Sequence, residues 1–188
     1  SRGFNTPHLR RGYELIEEAD LLREATRVAA QAIEKVKAPA VDAGQYDLVL
    51  DPEHLSLTIH ESCGHPSELD RALGYEANYA GTSFLTPDKL GTFRYGSRHV
   101  NLVADNTEPE TMAATGYDDD GVQCQQWDIV RNGVFVGYCT NREVASKIGE
   151  SRSRGSNRAD GWSHVPMVRI ANIGLEPGSA TVEQLIAD

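Results

Sequence analysis

The sequence predicts an α+β fold. Helical periodicity dominates its first third, and extended patterns dominate from about Phe93 onward, including a hairpin centred on Asn132-Gly133. Helices first and strands later favour segregated elements over an alternating α/β fold. The expected architecture is an N-terminal helix and a second helix around His60, both packed on a mainly antiparallel sheet.

Residues 1–13, rich in Gly, Pro, Arg and Asn, read as a loop or linker. Leu15, Ile16, Ala19, Leu22, Ala29, Ile33 and Val36 recur at helical spacing, predicting a helix over 14–37 that Ala38-Pro39 ends. Tyr46–Leu50 reads as a short strand. Asp51-Pro52 supplies an N-cap and a first-turn proline, so a helix starts at Pro52 and runs toward His65. A second helical stretch is expected over 66–79. Val100–Ala104 reads as a strand, and 123–140 as a hairpin whose tip is Asn132-Gly133. That tip pairs Arg131 with Val134 and Trp127 with Tyr138. It places Trp127, Ile129, Val134, Val136 and Tyr138 on the core face, and Cys124, Gln126, Asp128, Phe135 and Cys139 on the other. A further strand is expected over 166–175 and a helix from Thr181 to Ala187, where the chain stops without a cap or tail.

The 188 residues carry a formal net charge of −10 and a sequence pI near 5.0. This argues against nucleic-acid binding and against docking on anionic membranes, both of which call for a basic face. No apolar run approaches the roughly 18 residues of a membrane span. The N-terminus shows no apolar signal-peptide region. Cys63, Cys124 and Cys139 are odd in number and widely spaced, which suits neither a disulfide framework nor a CxxC zinc site. They read as reduced cysteines in a cytoplasmic protein.

Chemistry concentrates in His60-Glu61-Ser62-Cys63-Gly64-His65. Zinc hydrolases need nitrogen, oxygen or sulfur ligands, an open coordination position and a carboxylate base. In HExxH the two histidines share a helix face. Here they are five apart, and at about 100° per residue a regular helix leaves them about 140° apart. A local i→i+5 turn brings them together, and such π-bulges recur at functional sites. Gly64 is permissive, and Pro66 has no N–H to donate to the Ser62 carbonyl. The spacing alone leaves two readings open: a metal pair on a distorted helix, or two structural histidines beside a carboxylate.

The surrounding residues resolve this by resemblance. The run Leu57-Thr58-Ile59-His60-Glu61-Ser62-Cys63-Gly64-His65-Pro66-Ser67-Glu68-Leu69-Asp70 resembles the TldD/PmbA metallopeptidases. The likeness continues through 71–83, Gly116–Gly121, the hairpin 130–134, Met167–Asn172 and Leu175–Gly178. HExxxH marks the TldD-type member. The resemblance implies a barrel-like sheet and a zinc-dependent peptidase acting on unfolded or small peptides. His60 and His65 would be zinc ligands, and Glu61 the general base that deprotonates the attacking water. It also implies a homodimer, or a heterodimer with a paralogous subunit. The family's third ligand, a downstream cysteine, and its N-terminal domain have no counterpart in these residues. Residues 14–188 therefore read as the first part of a catalytic domain, inactive alone and holding metal weakly through two histidines.

The alternative reading is a peptide-binding or scaffolding subunit without metal. Its binding surfaces would be the acidic stretch 101–130 and the basic stretch 142–158. Cys63 reads as packing and His54 as a surface histidine. His99 and His164 have no partner pattern. Asp118-Asp119-Asp120-Gly121 lacks the later ligands of a calcium loop and reads as a turn.

Overall fold

In the computed structural model, which describes residues 1–187, the chain divides into two units. One comprises residues 1–48 with 110–112, and the other residues 49–109 with the chain from 113 onward. In the first unit the helix expected over 14–37 is two helices, α1 (Glu14–Glu18) and α2 (Leu21–Lys37). The break falls at Asp20, whose backbone is left-handed (φ 43°) and whose side chain accepts from the Arg23 N–H as an N-cap. A cap residue competes with helix continuation through this local bond. The strand expected at Tyr46–Leu50 is not formed: the segment has no ladder partner and is exposed.

The second unit holds a four-stranded antiparallel sheet in the order β3-β2-β1-β6. Its strands are β1 (Leu102–Asp105), β2 (Gln126–Arg131), β3 (Val134–Phe135) and β6 (Ile173–Leu175). A separate two-stranded antiparallel ladder joins β4 (Asn157–Arg158) to β5 (Met167–Val168). The single strand expected over 166–175 is thus two strands in different sheets, separated by residues 169–172. The sheet does not close: β3 and β6 are its edges, so the barrel-like expectation is corrected to an open sheet. The hydrophobic core, centred on Leu69, Leu85, Leu102, Ile129, Phe135, Tyr138, Val144 and Val168, is drawn entirely from this unit.

The hairpin tip forms as predicted, with Arg131 opposite Val134 and Val130 opposite Phe135. Asn132 (φ 50°) and Gly133 (φ 77°) are both left-handed, the signature of a type I′ turn. Of the expected core face, Trp127, Ile129 and Tyr138 are buried and Val134 is half-buried, but Val136 is exposed, and Cys124, Phe135 and Cys139 of the other face are buried too. The ladder ends at Phe135, so Trp127 has no ladder partner on the β3 side, while Ala104 of β1 pairs with it from the other side. Phe135 is fully buried and stands edge-on to Tyr138, with ring centroids 4.7 Å apart, while Val136 turns partly to solvent. Both faces of this hairpin meet packing, so alternation could not identify a single core face.

Helix α3 (Pro52–Ile59) begins as expected, with Asp51 accepting from the Glu53 N–H. The helix expected over 66–79 shrinks to α4 (Leu69–Ala72) followed by turns. The return segment of the hairpin intervenes here. The Cys139 N–H donates to the Ser67 carbonyl (2.8 Å), and the Leu69 N–H donates to the Cys139 carbonyl (3.1 Å). This bridge competes with helical bonding at 67–69 and fixes the residues that follow His65. Helix α5 (Val182–Ala187) starts at a reciprocal cap between Thr181 and Gln184.

Candidate metal centre

Between α3 and α4 the backbone widens into a π-turn over His60–Gly64, then tightens into a 3₁₀ turn over His65–Ser67. The His65 N–H donates to the His60 carbonyl, the i→i+5 bond that the spacing demands. The two imidazoles then meet edge to face, centroids 4.8 Å apart and planes at 84°. One ligand atom each from His60, Glu61 and His65 lies within 4.8 Å of the others. Zinc ligands at about 2.0–2.1 Å from a shared ion sit roughly 3.3 Å apart in tetrahedral geometry. His60 and Glu61 are exposed, so rotamer adjustments of about 1.5 Å close that difference. Two imidazoles beside a carboxylate are a donor set that suits zinc.

The π-turn is held from outside the helix. Pro66 leaves the Ser62 carbonyl without its helical donor, and the Tyr95 hydroxyl donates to it instead. The same hydroxyl lies 3.0 Å from the Cys63 sulfur. Cys63 is buried, and burial pushes its thiol upward, so it packs rather than ligates. Gly64 is not chosen for left-handed freedom, since its φ is −64°. A Cβ there would come within 2.9 Å of Ile170 Cδ1, so glycine lets the turn lie against the 167–171 segment. Replacing Tyr95 with phenylalanine is expected to cost about 1 kcal/mol of stability, the usual worth of one hydrogen bond. Denaturant melts check this, and the same variant should bind zinc more weakly because the turn relaxes.

Behind His65 lies a buried charge cluster that sequence reasoning missed. The Glu68 carboxylate is fully buried. Its Oε2 lies 3.2 Å from His65 Nδ1 and 3.0 Å from Arg71 Nε, and its Oε1 accepts from the Ile170 N–H at 3.1 Å. Asp70 accepts from the Val168 N–H (2.9 Å) and the Arg71 N–H (2.7 Å). Glu76 binds Arg169 Nη1 at 2.7 Å, and its other oxygen is 3.8 Å from Arg71 Nη2. Carboxylates thus satisfy the outward N–H groups of Val168 and Ile170, as a neighbouring strand would. Burial pushes Glu68 up to about 7 against the pull of Arg71 and Arg169, and Asp70 up to about 6. Burial, then Arg71, pushes His65 down from its usual value, which favours the neutral imidazole a metal needs. The available signal was the three-residue spacing from His65 to Glu68 and on to Arg71, which stacks charges on one face of a turn.

The remaining candidates stay apart from this centre. His54 is exposed on α3 and outside the cluster. Asp118 accepts from the N–H groups of Asp120, Val122 and Asn157; Asp119 accepts from Ala159, and Asp120 from Arg142. These carboxylates cap their own turn and an adjoining strand. The acidic and basic stretches meet at an open cleft of about 560 Å³, lined by Tyr117, Gln123, Arg142, Glu150 and Arg152. Cys63, Cys124 and Cys139 are buried and unbridged, as expected.

The PmbA/TldA metallopeptidase C-terminal domain matches residues 43–188. The chain belongs to the TldD/PmbA metallopeptidase family. Among curated relatives in that family, a metalloprotease of Methanocaldococcus jannaschii is 32% identical over 94% of the chain. A zinc metalloprotease TldD homolog of Saccharolobus solfataricus is 26% identical over 93%. The chain spans only 37% of the length of each. A solved structure from Bacteroides thetaiotaomicron, described as a proposed modulator of DNA gyrase, superposes with a TM-score of 0.62. It is 18% identical and the match covers 86% of this chain and 32% of that one, a likeness of fold.

Proposed function

We propose that this chain supplies two zinc ligands, His60 and His65, and the general base, Glu61, of a TldD-type peptidase. One observation carries the reading: the π-turn that brings the donor atoms of these three residues within 4.8 Å of one another. Bound between the histidines, zinc would polarise a peptide carbonyl and acidify water. Glu61 accepts the proton of the attacking water and returns it to the leaving amine, roles a carboxylate fills at such a site. His65 stays neutral and is oriented from behind. A zinc metalloprotease among the relatives supports the choice of metal.

Two histidines leave the ion short of the three protein ligands usual in catalytic zinc sites. The three cysteines of this chain are buried outside the cluster. By the family resemblance, the third ligand is proposed to be a cysteine outside these residues. Unfolded or small peptides are the proposed substrates, and a dimer with itself or a paralogue the proposed assembly. Both rest on the family resemblance.

The test is the metal content of the full-length protein purified without chelators, beside His60→Ala. About one zinc per chain, lost in the variant, is the expected result. Absence of metal from the wild type would favour the peptide-binding subunit instead.

A further inference from the structure

We propose that Glu68 is a positioning residue that sets the tautomer and aim of His65, a role that rests on the metal reading above. A ligating imidazole offers one nitrogen to the ion, and its other N–H is normally held by a carboxylate or carbonyl. His65 Nδ1 is already engaged, 3.2 Å from Glu68 Oε2 and 3.3 Å from Arg71 Nη2, which leaves Nε2 as the nitrogen free for metal. The two neighbours demand opposite tautomers. If Nδ1 accepts from Arg71, Nε2 carries the proton and cannot ligate. If Nδ1 donates to Glu68, the Nε2 lone pair is free.

The contacts of Glu68 favour the second arrangement. Arg71 donates to Oε2 from Nε (3.0 Å), with Nη2 in ion-pair contact at 2.9 Å, and the Ile170 N–H donates to Oε1 (3.1 Å). The hydrogen-bond partners of the carboxylate other than His65 are donors, so the ionised carboxylate is an acceptor toward His65. The group cannot turn away, because its side chain is fully buried and its far oxygen is tied to the 170 backbone. Arg71 is anchored in turn by the Ala80 carbonyl at 2.9 Å. The imidazole is therefore held at Nδ1 by a rigid acceptor.

The experiment compares zinc affinity of the full-length wild type and Glu68→Gln by competition with a chromophoric chelator, with His60→Ala alongside. Glutamine keeps the volume and an oxygen for the Ile170 N–H, but it then turns an amide NH2, a donor, toward His65 and Arg71 in place of the carboxylate acceptor. The expected result is a 10–100-fold weaker zinc Kd, the usual effect of losing such a partner. A second measurement needs no variant of Glu68: in metal-free protein labelled with ¹⁵N at histidine, His65 should be the Nδ1–H tautomer. An unchanged Kd in a folded Glu68→Gln protein, or an Nε2–H tautomer for His65, overturns the role of Glu68 and leaves the metal reading standing. A wild type that binds no zinc overturns the metal reading, and this inference with it.

Discussion

Glu61→Gln in the full-length protein is expected to lower peptidase turnover by about 10²–10⁴-fold, the range that general base catalysis contributes, with zinc stoichiometry unchanged. The side chain is exposed beside two imidazoles and within 4.8 Å of both donor atoms, a distance that suits a base working on a water held between them. Glutamine has the same shape and can hydrogen-bond that water, but it cannot take its proton. The combination matters: loss of turnover with metal loss would make Glu61 a ligand, whereas loss of turnover alone makes it the base. Normal activity in Glu61→Gln would remove it from the chemistry altogether. The contrast with Glu68→Gln is built into the fold. Glu61 faces outward at the start of the π-turn and Glu68 is buried behind it, so the first should change turnover and the second affinity.

The π-turn was legible because five-residue spacing and a proline at position 66 leave a regular helix no way to satisfy both histidines. What held the turn was not legible. Tyr95 lies 33 residues from Ser62, and the N–H groups of Val168 and Ile170 lie about a hundred residues from the carboxylates that accept from them. Such pairings depend on tertiary approach, on which local periodicity is silent. The same limit explains the sheet. Asn132-Gly133 specified its turn locally, but beyond Phe135 the return segment runs so close to β2 that a Cβ at Gly137 would lie 2.2 Å from the Asp128 carbonyl oxygen, a tertiary approach that alternation does not show. Gly64 was chosen correctly for the wrong reason: its close neighbour, Ile170, belongs to a distant segment.

Gly133→Ala is expected to destabilise the fold by about 2–5 kcal/mol, because two costs coincide there. A left-handed φ of 77° costs a side-chain-bearing residue about 1–2 kcal/mol. The added Cβ would also lie 2.5 Å from the Gly96 carbonyl oxygen and closer still to that of Ser97. Backbone oxygens cannot rotate away as side chains do, and overpacking of this kind costs about 1–3 kcal/mol more. Gly81→Ala is the matched control, since Gly81 has φ 82° but no atom within 4 Å of an added Cβ, so it should show the conformational cost alone. The difference in urea midpoints between the two variants measures the clash; equal losses would mean that the 96–97 segment yields freely. That segment matters to the site. The Gly133 carbonyl accepts from the Tyr95 N–H at 2.7 Å, and the Tyr95 hydroxyl holds the carbonyl that Pro66 leaves unpaired. Pushing residues 95–97 away from the hairpin tip should therefore loosen the π-turn as well. Gly133→Ala is expected to weaken zinc binding under conditions where the protein remains folded, and Gly81→Ala is not.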